Sequence, residues 1–600
     1  MPAEYNTFTK RTKRLKREDR TVPPTTAPAT DTKPNTLIDT SFVPADLNAG
    51  DWESLEPYLQ ELLDRPINSA AELEKWLLDR SELEASISEA GADRYIQMTC
   101  HTEDEVAKKA FLEFVENIEP KFKPIGFELD RKYIACSHRS ELDADRYHVL
   151  DRDTEADVAI FREENVPLET ELSKLSQQFS EVSGAMTVEF DGEEKTMPQM
   201  ATYIQKTDRS VREAAWRGIG DRRLKDVDRL NDIFDAMIKL RHQIATNAGY
   251  DNFRDYMFSK MHRFDYTPAH CEAFHTACEK AVVPVMRRLN NERKTELNVE
   301  ALRPWDMAVD VKGREPLKPF ETADELVDGT HRIFAKVEES LGKMFNRLRE
   351  PGCLDLASRK GKAPGGYQYN RDRKRQPFIF MNAAGMQRDV ETLLHEGGHA
   401  FHSILSEREP LLHYRHAPME FAEVASMSME LTAHPYLTEF YAEEEATRAV
   451  REHLEGVVAT LPWIATIDAF QHWIYTNPNH SRRDRKAKWI ELTDRFGPAV
   501  DYTGLEDYRP NSWQRQLHLF EVPFYYIEYG IAQLGALQLW LQYKKNRSAA
   551  IENYRHALSL GGSKPLPELF ATAGLRFNFA PEIVSTLLAE VENDLKTLPA

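Results

Sequence analysis

The segment His395-Glu396-Gly397-Gly398-His399 constrains this chain more than any other five residues in it. It falls in a stretch, from about Met386 to Leu405, where Val390, Leu394, Phe401 and Ile404 lie close to one stripe of a helix. On that helix His395 and His399 stand at i and i+4, about one turn apart, so their imidazoles can converge on one point. Glu396 is rotated from His395 by about 100°. That is too far round to join the histidines as a ligand, yet near enough to take a proton from a water held between them. Gly397 and Gly398 each cost about 1 kcal/mol inside a helix. A helix that accepts both needs a reason, and the close approach of a second backbone is a physical one. The competing reading is an ordinary pair of core or solvated histidines.

Two imidazoles in this geometry begin a zinc site, which needs a third protein ligand and an open position for water. His402 follows His395 by seven residues, a rise of about 10 Å, too far for both to reach one zinc at about 2 Å. It is read as lining the cleft. A third histidine after a glycine turn is absent. The next helical stretch, Ala417 to Glu430, carries Glu420, Glu423 and Glu430 on one face. Glu420 or Glu423 would complete a His, His, Glu set, and spacing alone does not choose between them. A carboxylate one or two turns away could orient a ligand histidine.

Composition narrows the classes. The net charge of −20 on 600 residues argues against general affinity for nucleic acid. The five cysteines are few and mostly far apart, which speaks against a disulfide framework and for a reducing compartment. No stretch approaches the roughly 18 apolar residues of a membrane span, and the basic run Lys10 to Arg17 leads into no apolar segment, so a cytoplasmic protein is expected. The expected division is a basic, Thr/Pro-rich tail at 1–45, a helical region with a short hairpin at 46–205, and a catalytic region at 206–600. Ala185 to Phe190 reads as a strand turning at Asp191-Gly192. Long helices are expected over 209–248 and 268–297. Pro364-Gly365-Gly366-Tyr367 reads as a turn and Gln376 to Met381 as a strand; nearly everything beyond 385 reads as helix, giving a mainly α class with a small sheet. Cys271, His275 and Cys278 fail as a three-ligand metal site on the same reach as His402, and no metal is expected from those three.

Three motifs together resemble the thimet-oligopeptidase-like zinc peptidases of family M3, most closely the oligoendopeptidase F branch. His395-Glu-Gly-Gly-His-Ala-Phe-His402 is similar to the family's HExGHxxH. Glu423-Val-Ala-Ser426 is similar to its downstream ExxS, and Phe520-Glu-Val-Pro-Phe-Tyr-Tyr-Ile-Glu-Tyr-Gly530 to its C-terminal tyrosine-rich segment. The resemblance runs from about residue 200 to 595, and more weakly over the N-terminal helices. It implies one zinc per chain, held by His395, His399 and Glu423, with Glu396 as general base and Glu430 as the partner of a ligand histidine. It also implies two helical lobes around a deep channel that admits short unstructured peptides, with a small sheet beside the HExxH helix. The strand at Phe378 to Met381 would then pair with a substrate backbone, which makes Gly365, Gly366, Phe378 and Phe380 candidate substrate-binding residues.

The tyrosine-rich segment, if helical, places His518, Tyr525 and Tyr529 on one stripe with Tyr526 beside it. Donors from that stripe could stabilise an oxyanion; the alternative is aromatic core packing. The expected activity is endopeptidase cleavage. A metallocarboxypeptidase with a similar channel, or a non-catalytic peptide-binding protein on the same fold, are the alternatives.

Overall fold

Among the described residues, two large hydrophobic cores and one small cluster beneath the sheet organise the fold. The first gathers Leu55 and Leu59 of helix Trp52–Asp64, Trp76 and Leu83 of helix Ala70–Cys100, and Leu129 and Tyr133 of helix Glu119–Ala135. The second and larger core begins at Ile160 and runs to the C-terminal helix Pro581–Thr597. Leu175, Phe179 and Met186, which the sequence suggests belong with the N-terminal region, pack into this second core. The computed structural model describes residues 42–599 apart from 360, 361 and 364. Most of the expected tail therefore lies outside the described residues. Its last residues do not read as tail: Val43 is fully buried in the first core, and the ring of Phe42 meets Tyr58 edge-on.

Several expected helices hold with breaks that have local causes. The 209–248 stretch divides into Arg209–Leu224 and Val227–Asn247. The 268–297 stretch is helical throughout but passes through one π turn, Cys278–Val282, between Pro268–Ala277 and Val283–Glu296. Pro284 has no N–H to offer the preceding turn, and a widened turn accommodates the lost bond. Pro120 sits in the first turn of Glu119–Ala135, where a missing N–H is harmless. The hairpin forms as expected, Thr187–Phe190 against Glu193–Thr196, with Asp191 and Gly192 both at positive φ.

The sheet beside the HExxH helix has three strands in the order Leu354–Ala357, Gln376–Ala383, Tyr367–Arg371. Its middle strand pairs in parallel through Ile379 with Leu354 and antiparallel through Phe380 with Tyr367. This corrects the expectation that the Phe378–Met381 strand pairs with a peptide. Both of its edges are taken, and Phe378 and Phe380 are buried against Ile96 and Cys100. The outer strand on the far side is Tyr367–Arg371, reached through Gly365, whose φ of 104° favours glycine.

Candidate metal centre and active site

Helix Gln387–Ser406 begins where it does because Asp389 gathers two backbone donors at its start, the N–H of Ala384 at 2.8 Å and of Met386 at 2.9 Å. Its partner is helix Met419–Thr432. A Cβ built on Gly398 would lie 2.5 Å from Ser426 Cα and 2.6 Å from the Ala425 carbonyl oxygen, so only glycine lets these backbones approach. A Cβ on Gly397 would meet the Phe334 ring at 2.7 Å. The approach at Gly398 carries Glu423 to the two histidines. Glu423 Oε2 is 3.3 Å from His395 Nε2 and 3.8 Å from His399 Nε2.

These separations suit a cation. Two donors each about 2 Å from a tetrahedral zinc lie about 3.3 Å apart, and one donor atom from each of the three residues falls within 4.8 Å of the others. The nature of the donors also fits, two imidazoles and one carboxylate. Glu420, the other carboxylate that spacing leaves open, is engaged elsewhere: it accepts from the Tyr266 hydroxyl at 2.8 Å. Glu430 accepts from His395 Nδ1 at 2.6 Å, which leaves Nε2 of that ring to face Glu423. Glu396, one residue on from His395, is buried at 8 % exposure.

The electrostatics follow from burial and these contacts. Burial disfavours a charged His395, but Glu423 and Glu430 outweigh it and hold its pKa well above the ordinary imidazole value. His399, buried beside His395, is pushed down to about 4. Burial alone would raise Glu423, yet His395 and His399 bring it below the usual carboxylate range; Glu430 is brought to about 2 by His395 and His453 against its burial. His395 thus stands between two carboxylates, Glu423 and Glu430, a concentration of negative charge that suits a divalent cation.

His402 is not at an open cleft wall. It is 5 % exposed, its ring lies 6.1 Å from Phe421, and burial pushes its pKa to about 3. The tyrosine-rich segment is not one continuous helix either. His518 belongs to the short helix Leu517–Glu521, the chain turns at Phe524 with a φ of 69°, and helix Tyr526–Lys545 follows. The turn still gathers the four rings: His518 lies 6.1 Å from Tyr525, 4.8 Å from Tyr526 and 6.1 Å from Tyr529, and Tyr525 lies 5.3 Å from Tyr529. The Gln516 amide donates to His518 Nδ1 at 2.8 Å, so the ring's proton sits on Nε2. Burial lowers the His518 pKa to about 4, which keeps that ring neutral near pH 7.

Two further residues support the cluster. His453 donates from Nε2 to Glu430 at 2.9 Å and shares a hydrogen bond through Nδ1 with His434 Nε2 at 2.8 Å, extending a hydrogen-bonded line outward from His395. Ser426 donates to Glu423 Oε2 at 3.1 Å. Ser426 is visible in sequence only through the ExxS resemblance. His453, on a separate helix, gives no local signal.

A mainly helical chain that brings two histidines one turn apart and a carboxylate from the next helix to one point has the architecture of the helical HExxH proteins. The model of Peptidase family M3 matches residues 202–587, and that of the Peptidase M3 N-terminal domain matches residues 42–161; the chain belongs to peptidase family M3. An oligoendopeptidase F homolog of Borreliella burgdorferi is 27% identical over 390 residues, 62% of this chain and 62% of its own length. The chain therefore matches less than two thirds of that relative. Among solved structures, PZ peptidase A with an inhibitor superposes with a TM-score of 0.84 at 28% identity, over 91% of this chain and 98% of that one. A putative oligoendopeptidase F from Bacillus anthracis gives 0.80 at 28% identity, over 91% and 96%.

Proposed function

We propose that this chain is a zinc-dependent oligoendopeptidase that hydrolyses short unstructured peptides. The observation that carries the reading is the convergence of His395 Nε2, His399 Nε2 and Glu423 Oε2 from two helices in glycine contact. These three side chains would hold the cation. A bound zinc supplies a Lewis acid that polarises the scissile carbonyl and brings the pKa of a water towards neutrality.

The remaining work falls to the chain's own residues. Glu396 takes the proton of the attacking water on its carboxylate and returns it to the leaving amine. Glu430 fixes the His395 ring through Nδ1 and keeps Nε2 available. His518 Nε2–H and the hydroxyls of Tyr525 and Tyr529 are donors suited to a developing oxyanion, with Tyr526 packed between His518 and Tyr529. The outer strand Tyr367–Arg371, entered through Gly365 and Gly366, offers backbone groups to an extended peptide, a sequence-tolerant way to hold one. A channel between the lobes would restrict entry to short, unfolded segments. No helix among the described residues is long and apolar enough to cross a membrane.

Glu396→Gln is expected to keep its zinc and to lower kcat on an internally quenched peptide by about 10²–10⁴-fold. Unchanged turnover in that variant would remove Glu396 from the mechanism. A peptide blocked at both ends separates the endopeptidase from a carboxypeptidase: cleavage supports the reading, and cleavage only of peptides with a free C-terminus overturns it.

A further inference from the structure

Helix Pro268–Ala277 and helix Glu443–Thr476 each present a pair of metal-competent side chains one turn apart, Cys271 with His275 on the first and Asp468 with His472 on the second. The two pairs face each other in the interior. Cys271 is 1 % exposed and Asp468 fully buried, with His275 and His472 nearly so. One donor atom each from Cys271, Asp468 and His472 lies within 4.8 Å of the others. His275 Nε2 is 2.7 Å from Asp468 Oδ2.

Hydrogen bonding alone leaves this cluster unsatisfied. Asp468 Oδ1 and both ring nitrogens of His472 are buried without a hydrogen-bond partner among the described residues. His472 Nε2 does stand 3.3 Å from Asp468 Oδ2, but not in line for a hydrogen bond. That separation matches the 3.3 Å between His395 Nε2 and Glu423 Oε2, and is the spacing of two donors about a tetrahedral ion. Asp468 Oδ1 is thus a buried acceptor that protein hydrogen bonds leave unmet, and a divalent cation would meet it.

We propose that Cys271, Asp468 and His472 form a second, structural site for a divalent transition-metal ion such as zinc, with His275 hydrogen-bonded to Asp468 Oδ2 and holding that carboxylate in place. The three donors are of the kinds that hold zinc: a thiolate and a carboxylate balance the ion's charge, and the His472 imidazole joins them. Cys278 is outside it, since its thiol turns to the Leu461 carbonyl oxygen at 3.7 Å. The site would tie helix Pro268–Ala277 to helix Glu443–Thr476 directly behind Phe524. The His472 ring lies 5.6 Å from the Phe524 ring, and the neighbouring Gln471 accepts the Phe524 N–H at 2.6 Å. The turn that presents Tyr525 would thereby rest on a metal-braced helix pair.

The test uses the full chain loaded with cobalt(II) after chelation, and reads metal content together with absorption. Cobalt bound by a thiolate shows an intense near-ultraviolet charge-transfer band, and the His395, His399, Glu423 cluster contains no sulfur. The band is expected in the unmodified protein and in His399→Ala. It is expected to vanish in Cys271→Ser and in Asp468→Asn, each with one metal fewer per chain than the parent and an unchanged circular dichroism spectrum. Absence of the band from the unmodified protein, or its survival in Cys271→Ser, overturns the proposal. Should Cys271→Ser fail to fold, Asp468→Asn decides on the same readout; should both fail, the unmodified protein decides on the presence or absence of the band.

Discussion

The contact at Gly398 predicts that a single methyl group will damage the metal centre far more than the fold. In Gly398→Ala the new Cβ would lie 2.5 Å from Ser426 Cα, against about 3.4 Å for ordinary contact, so the two helices must part by about 0.9 Å. Overpacking of that kind costs about 1–3 kcal/mol, and the better helix propensity of alanine returns about 1 kcal/mol. The net loss of stability is therefore at most about 2 kcal/mol. Glu423 rides on the displaced helix three residues before Ser426, and a misplacement of about 1 Å at a reacting centre costs about 10²-fold in rate. Gly398→Ala is thus expected to stay folded while zinc retention after dialysis and kcat/KM on a quenched peptide both fall, the latter by about 10²-fold. Gly456→Ala is the control. That residue is exposed in helix Glu443–Thr476 with nothing within 4 Å of a built Cβ. It should gain about 1 kcal/mol with no change in activity. If Gly398→Ala retained zinc and activity within twofold of the parent, Glu423 would not depend on that helix contact and the reasoning would fail.

Glu430→Ala removes the acceptor for His395 Nδ1 and should weaken zinc about 10–100-fold, measured by competition with a chelator. Tyr525→Phe and Tyr529→Phe, tested singly, should show which hydroxyl serves the oxyanion, as a loss of about 10²–10³-fold in kcat with zinc content unchanged; two unaffected variants would leave these rings as core packing. Asp306, fully buried, accepts from Arg209 at 2.7 Å and from Arg212 at 3.1 Å. Burial would raise its pKa, but the two guanidiniums and the Arg303 N–H bring it below the usual value. Its folded pKa is thus below its unfolded one, so its contribution is present above about pH 4 and is lost as pH falls through the folded value. Asp306→Asn should flatten the acid limb of a Tm-against-pH profile, and an unchanged limb would contradict the assignment.

What was legible in the sequence is what local spacing encodes. The helix bearing His395 and His399 could be read because one turn of helix relates them, and Gly397-Gly398 could be read as a close approach because nothing else favours two glycines there. Glu420 and Glu423 could not be separated by spacing. The contact that separates them in space comes from Tyr266, on a remote part of the chain. The strand at Phe378 was recognisable, but its place in the middle of the sheet depends on two other strands, one of them pairing in parallel. The stripe of His518, Tyr525 and Tyr529 assumed one helix, whereas Phe524 breaks it in a left-handed conformation that no periodicity reports. Cys271 and His275 could be rejected as part of a three-ligand site on their own helix. The donors that give them a second meaning, Asp468 and His472, lie on another helix.

The placement of Glu423 also ties the metal cluster to helix Tyr526–Lys545 through packed glycines. Three consecutive residues after Glu423 are held from two sides. Ala425 and Ser426 meet Gly398 of the histidine helix, while Val424 faces Gly535 of helix Tyr526–Lys545, where a built Cβ would come within 2.7 Å of its side chain. The same helix is seated at Gly530 against Phe274, at 2.8 Å from a built Cβ. Its two close-packed glycines leave little freedom to slide, because interiors at crystal-like density do not deform continuously. The register of Tyr529 relative to Glu423 is therefore set by close packing of Val424 and Phe274 side chains against the glycine backbone of that helix. Phe274 lies between Cys271 and His275 on helix Pro268–Ala277, the helix that carries one donor of the second cluster. A metal there would stiffen the surface against which Gly530 is packed. It would also act on Phe524 through Gln471 and His472, from the other side of the same turn. Both effects bear on the turn at Phe524, whose backbone is in the left-handed region, and both leave the His395, His399, Glu423 triangle untouched. Loss of the second metal should consequently resemble the tyrosine variants, with turnover reduced and catalytic zinc retained, rather than Gly398→Ala, where the two fall together.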